Sequence, residues 1–317
     1  MRNTLHISLR LVLQLVLCIR VCSGFNGAMA DETSTDWPAF RGKGATGLAS
    51  GFATATKWDV TDPSDKAIRW RTELPGLGHS CPVVVGDRII VATAVPENGE
   101  SELQIGRNGN IDAANDSGKQ SWLLLCYDKN SGDEIWQQTV CEGVPKTTRH
   151  TKATHANTTV AVDGDNVVAF FGSEGLYCYS LEGELKWKMD LGIVNISKYG
   201  TGWGYASSPA VLDGHIVLVC DDPLNPYVVA LKLEDGEEIW RRSRKGDCER
   251  SWGTPLIHKS GDKSQVVVNG WPWIVSYELE TGNEVWRIEG GGDNPIPSPL
   301  FPKRTYLSAA LTEGNRL

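Results

Sequence analysis

The residues of this chain whose types could do chemistry are few and widely spaced: His79, His155, Trp203, Asp221 and Trp252. Two imidazoles on one cleft could act as metal ligands or proton carriers. The plainer reading of His79 and His155 is loop histidines hydrogen-bonded to backbone. Trp203 lies in Gly200-Thr-Gly-Trp-Gly-Tyr-Ala206, where three glycines let an indole approach a ligand or a neighbouring backbone closely. It reads as an aromatic platform for a flat ligand, or as packing. Asp221 and Asp222, with Asn225 near by, could contribute to a calcium site; such a pair is also at home in a solvated turn. Asn108-Gly-Asn110-Ile-Asp112 has the alternation of a calcium loop. Ala113, however, replaces the required glycine and Lys119 the bidentate glutamate, so no metal site is expected there. The sequence has no Cys-x-x-Cys to complete a zinc site, no nucleophile elbow and no phosphate loop.

The elements that must position these residues announce themselves through a repeat. Four times, at near-regular intervals, a tryptophan follows a turn glycine by four residues: Gly132 to Trp136, Gly183 to Trp187, Gly236 to Trp240 and Gly282 to Trp286. The tryptophans recur at about 50 residues, a period that marks a repeat architecture. In the third unit, Tyr205–Leu212 reads as a strand, Asp213-Gly214 as a tight turn and His215–Cys220 as a second strand. Val228–Leu233 makes a third strand, and Glu238–Arg242 a fourth that carries the tryptophan. Four antiparallel strands at this period predict an all-β chain, a β-propeller of four complete blades. A partial fifth blade opens at Pro297-Ser298-Pro299-Leu300. Ala67–Leu74, around Trp70, resembles a fourth strand without its first three, so the ring is expected to be incomplete. The docking tryptophans Trp136, Trp187, Trp240 and Trp286 are read as structural, each covering the turn of a neighbouring blade. Candidate site residues then fall on the opposite face, in the loops that enter first strands or join second to third strands. Arg149, Lys152, Glu174, Tyr205, Trp271, Trp273, Asp293 and Asn294 also fall there. Aligning Pro82 with Thr158 matches His79 to His155; adding Pro209 and Pro255 brings Ala206 and Trp252 into the same register.

The 317 residues, 40% of them hydrophobic, support a large core. With 39 acidic against 31 basic residues, neither nucleic acid nor an anionic membrane surface is expected as partner. Residues 1–30 differ from the rest: Arg2 and Arg10 precede an apolar run, Leu11–Ile19, and Ala28-Met-Ala30 supplies small residues. This predicts a signal peptide cleaved after Ala30 and a periplasmic or secreted protein, without a transmembrane anchor once cleaved. Cleavage removes three arginines and takes the charge from −8 to about −11. The expected organisation is a leader (1–30), an N-terminal extended segment (31–65) and an incomplete propeller (66–317). Of the six remaining cysteines, Cys126 and Cys178 hold the same place in successive repeats. They read as small core residues, and mostly buried free thiols are expected, with a single disulfide as the alternative.

The turns Ser-Gly-Asp-Glu-Ile-Trp, Asp-Gly-Glu-Glu-Ile-Trp and Thr-Gly-Asn-Glu-Val-Trp resemble the tryptophan-docking repeat of the pyrroloquinoline-quinone-like (PQQ-like) propeller family. Asp36-Trp-Pro-Ala-Phe-Arg-Gly42 and Ser207-Ser-Pro-Ala-Val-Leu212 resemble its secreted planctomycete-type members. The resemblance runs from Asp36 to about Phe301. It implies rings of seven or eight blades, hence a truncated chain here, and a choice of roles: quinoprotein dehydrogenase, outer-membrane assembly protein or binding module. Quinoprotein dehydrogenases hold the quinone between a tryptophan and a disulfide of adjacent cysteines, with calcium bound by carboxylates and amides. Trp203 could play the first part, as it could carry a sugar, but adjacent cysteines are absent. The expected function is therefore a non-catalytic binding scaffold for a protein or polysaccharide partner, with no cofactor. The alternative is a quinone- and calcium-dependent alcohol or sugar dehydrogenase.

Overall fold

The computed structural model describes residues 35–49, 54–98, 103, 113–194, 202–248, 250–290, 292 and 294–300. The expected leader, the stretch Asn108–Asp112, Asp293 and residues 301–317 lie outside them. Alternating apolar runs broken by glycine turns build sixteen strands in four antiparallel sheets. The first blade comprises β1 (Val83–Val85), β2 (Arg88–Pro96), β3 (Gln120–Asp128) and β4 (Glu134–Gly143). The second comprises β5 (Ala161–Asp163), β6 (Asn166–Phe170), β7 (Leu176–Tyr179) and β8 (Leu185–Met189). The third holds β9 (Ala210–Leu212), β10 (His215–Cys220), β11 (Tyr227–Lys232) and β12 (Glu238–Ser243). The fourth holds β13 (Leu256–Ser260), β14 (Lys263–Val268), β15 (Trp273–Glu278) and β16 (Glu284–Glu289). Strand order follows chain order in every sheet, and β1, β5, β9 and β13 touch in succession. These four are the inner edges of a propeller. Among the described residues no strand links the fourth sheet back to the first.

A blade is apolar on both faces and must stack to bury them. The cores accordingly lie between blades. One joins Ile90, Trp122 and Leu124 of the first blade to Val160, Val167 and Tyr179 of the second. The next joins Phe170 and Leu176 to Ile216, Leu218 and Leu231; a third joins Val217, Val228 and Trp240 to Val266, Val268 and Tyr277.

The tryptophans close these seams from outside. In each blade the pairing of the outer two strands slips by one residue beside the tryptophan, which then faces Cys126, Cys178, Ala230 or Ser276. The bulge turns the indole toward the next blade, and the small residue opposite leaves it room. Trp136 covers Gly183, Trp187 covers Gly236 and Trp240 covers Gly282. Their indole N–H groups donate to the carbonyls of Leu181 (2.9 Å), Leu233 (3.1 Å) and Leu279 (2.6 Å). Trp70 treats the first blade alike, covering Gly132 and donating to Lys129 O at 2.9 Å. The segment around Trp70 nevertheless forms no strand, because the described residues offer it no ladder partner. The Trp286 indole turns to Gln265 Oε1 of its own blade at 3.1 Å.

The first strands are shorter than the sequence predicts, three residues at β9 instead of eight. The reason is a second use for their amides. Cys81 N donates to Thr159 Oγ1 (3.0 Å), and Thr159 N to Ser208 Oγ (2.9 Å). Ser208 N donates to Thr254 Oγ1 (3.0 Å), and Thr254 N to Ser298 Oγ (2.9 Å). This relay links each inner edge to the next blade's side chain and carries the pattern into the fifth unit. All six described cysteines are free thiols, with Cys126, Cys178, Cys220 and Cys248 buried.

The segment Asp36–Gly47 crosses the axis on the turn face. Trp37 bridges Val84 (2.7 and 3.0 Å), Asp36 Oδ1 accepts from Gly86 N, and Pro38 O accepts from Val162 N. Ala45 packs against Leu256, Val267 and Ile274. Blades one, two and four are thus tied together below the axial space.

Candidate functional site

The opposite mouth of the axis opens into a cavity of about 630 Å³. Its walls follow from the relay. The residue two places before each relay position is His79, Asn157, Ala206, Trp252 and Ile296, and all five line the cavity. His150, Lys152, Ala153, Trp203 and Asn294 complete it from the connections between blades. The relay sets the second unit one residue later than the proline alignment does. His79 therefore corresponds to Asn157, and His155 lies elsewhere.

Trp203 and Trp252 stack with ring centroids 5.8 Å apart and an interplanar angle of 30°. The Trp252 indole N–H donates to Gly204 O (3.2 Å), and Trp203 O accepts from His150 N (3.1 Å). Gly204, at φ +84°, makes the reversal that puts Trp203 on the cavity and Tyr205 in the core. The His150 ring meets Trp203 edge-on, and His150 Nδ1 accepts the Lys152 amide at 3.0 Å. The Asn157 amide is engaged at both ends, its Oδ1 accepting from Thr154 N and its Nδ2 donating to Tyr205 O. His79 stands exposed at the rim. No carboxylate among the described residues lines the cavity, and Lys152 forms no ion pair with any of them.

His155 lies behind this wall in a cavity of only about 20 Å³. Its Nε2 is 3.2 Å from Asp116 Oδ2, and Arg149 grips the same carboxylate with Nε and Nη2. Burial drives the His155 pKa down to about 4 against the pull of Asp116, so the ring is neutral at ordinary pH. Asp116 comes from the insertion before β3, 33 residues from Arg149. Sequence reasoning passed over it, as it did His150 and Asn157.

Asp221 and Arg244 are both fully buried, joined at 2.7 Å (Nε to Oδ1) and 3.2 Å (Nη2 to Oδ2). Ser251 Oγ donates to the second Asp221 oxygen. Asp221 thus ties the end of β10 to the connection between blades three and four, and it does not line the axial cavity. Asp222 Oδ1 accepts Leu224 N at 2.8 Å, closing a local turn. Among the described residues no three His, Cys, Asp or Glu side chains are grouped to hold a metal ion. The described axial lining therefore does not fit a calcium-bound quinone: it offers an indole face, but no carboxylate among the described residues to bind the calcium. No described helix is long and apolar enough to cross a membrane.

The family profile described as outer membrane protein assembly factor BamB matches residues 121–293. Among solved structures, the chain is similar to the quinohemoprotein alcohol dehydrogenase of Comamonas testosteroni. The identity is 14% and the TM-score 0.54, over 84% of this chain and 43% of that one. A europium-containing methanol dehydrogenase aligns at 11% identity and TM-score 0.44, over 66% of this chain and 41% of that one. BamB from Moraxella catarrhalis aligns at 13% identity and TM-score 0.32, over 68% and 77%. The chain spans less than half the length of either dehydrogenase. No curated protein matches it significantly.

Proposed function

The chain belongs to the PQQ-like propeller family described as outer membrane protein assembly factor BamB, and from that premise we propose that it is an exported, non-catalytic binding scaffold. It engages an extracytoplasmic macromolecule through the axial cavity on the strand-entering face. The observation that carries this reading is the lining of the cavity. Two stacked indoles, an amide already tied to backbone, the Lys152 ammonium and the imidazoles of His79 and His150 can hold a ligand, and no described carboxylate stands among them to orient either imidazole as a general base. Of the other titratable groups near the axis, His155 with Asp116 and Asp221 with Arg244 are held by protein partners. The expected leader and the family's association with the outer membrane both favour export.

Crosslinking of the exported protein to intact cell envelopes tests the proposal. The expected result is one macromolecular adduct that Trp203→Ala or Trp252→Ala abolishes. An adduct unaffected by both, or none at all, overturns the proposal. The alternative, a quinone- and calcium-dependent alcohol or sugar dehydrogenase, rests on the indole platform. Dye reduction with alcohols or aldoses after addition of quinone and calcium, lost in Trp203→Ala, would establish it in place of the scaffold.

A further inference from the structure

Resting on the scaffold reading, we infer that the axial cavity is a carbohydrate site selective for acidic, uronate-type polysaccharide. Three observations lead there. Trp203 and Trp252 lie in direct contact, so no flat ring can slide between them, and both remain partly exposed. What they offer is a one-sided, slightly bent platform. The flat C–H face of a pyranose ring fits such a surface, because the electron-rich indole face complements weakly positive C–H groups.

The second observation is charge. The protein carries a formal −8, yet Lys152 faces the cavity with no ion pair among the described residues, and no described carboxylate lines it. An acidic protein repels anions generally, so a recess whose described lining holds a cation and no carboxylate selects a ligand with negative charge at that spot. The third separates sugar from peptide. A peptide strand would need free backbone donors on the inner edges of the blades. Those at Cys81, Thr159, Ser208 and Thr254 are already given to the relay. With Asp36–Gly47 crossing the far side of the axis, a chain approaches from the strand-entering face only.

Isothermal titration calorimetry of the purified protein with three probes provides the test: oligogalacturonate, its methyl ester and poly-glutamate. The expected order has oligogalacturonate tightest, the ester several-fold weaker and poly-glutamate without measurable heat. Trp252→Ala is expected to weaken oligogalacturonate about tenfold or more, as loss of a central aromatic anchor does. Trp252→Phe, which keeps a ring and guards against misfolding, should lose less. Lys152→Gln should weaken the acid to the level of the ester and leave the ester unchanged. Absence of oligogalacturonate binding, or equal affinity for poly-glutamate, or indifference to both Trp252→Ala and Lys152→Gln, overturns the inference. If oligogalacturonate fails while the envelope adduct still depends on Trp252, the carbohydrate assignment falls and the scaffold reading stands.

Discussion

Replacing Gly282 by alanine should damage the fold more than the same change at Gly214, and the difference can be worked out. Both glycines have left-handed backbone, φ +67° at Gly282 and +76° at Gly214. An alanine at either pays the left-handed penalty of about 1–2 kcal/mol. At Gly214 nothing else lies within 4 Å of the new Cβ. At Gly282 that Cβ would fall 2.4 Å from Trp240 Cδ2 and 2.6 Å from Cε3. Trp240 is buried and hydrogen-bonded to Leu279 O, so it cannot step aside without losing its seat. Overpacking of this kind adds about 1–3 kcal/mol. Gly214→Ala should therefore cost about 1–2 kcal/mol and Gly282→Ala about 2–5 kcal/mol. Urea unfolding followed by circular dichroism would measure both, with midpoint and slope compared because stacked blades can unfold stepwise. The decisive version is a double-mutant cycle. In a Trp240→Ala background the collision is gone, and Gly282→Ala should cost no more than Gly214→Ala. Equal costs in the parent protein, or strict additivity in the cycle, would refute the claim that the glycine exists to seat the indole.

Three further outcomes follow from buried contacts. Asp221→Ala should cost about 3–5 kcal/mol in the same urea assay by stranding the buried Arg244 charge. Added calcium should leave the parent protein's midpoint unchanged if Asp221 serves only Arg244. His155, with a folded pKa of about 4 against an ordinary 6.5, takes up its proton first in the unfolded chain. Stability should thus fall as pH drops from about 6.5 toward 4, by up to about 3 kcal/mol, and His155→Gln should flatten that dependence. Deleting residues 36–47 should speed hydrogen exchange at the Val84, Gly86 and Val162 amides, whose acceptors lie in that segment, and leave Val217 and Val229 protected.

The blades were legible because glycine, small residue and tryptophan recur with a local logic: turn, bulge and docked indole all fall within ten residues. Trp70 illustrates its limit. Its indole finds Gly132 as the repeat requires, but a strand also needs a neighbour, and no local pattern reveals whether one exists. The site was harder to read because its register is fixed between blades. Prolines 82, 209 and 255 suggested the alignment, whereas the structure counts from the hydroxyls that accept the inter-blade amides, and in the second unit Val160 stands where proline was sought. Hence His79 was matched to His155 instead of Asn157. Asp221 was read with its neighbour Asp222 because both are acidic. Its true partner, Arg244, lies 23 residues away and becomes adjacent only when β10 and β12 are in one sheet.

The same comparison of repeats explains why the cavity can be functional at all. At the relay position the units carry Cys81, Thr159, Ser208, Thr254 and Ser298, side chains that can all accept a hydrogen bond. Four of the five are held to this by a neighbour's amide, which would otherwise be buried unpaired at a cost of about 1–3 kcal/mol. Two residues earlier the units carry histidine, asparagine, alanine, tryptophan and isoleucine. Asn157 and Trp252 reach across to the backbone of Tyr205 and Gly204, no residue type is common to the five, and all five line the cavity. A position that is uniform across the units records what the ring requires. One that varies beside it, on a shared pocket, is where a ligand can be read. Exchanging Trp252 and Ala206, one residue for the other at equivalent places, forfeits the Trp252 bond to Gly204 O, worth about 0.5–1.5 kcal/mol, but should leave the blades folded while abolishing the Trp252-dependent binding. If the swap unfolds the blades, the varied position is structural after all, and the cavity loses its claim to be the site.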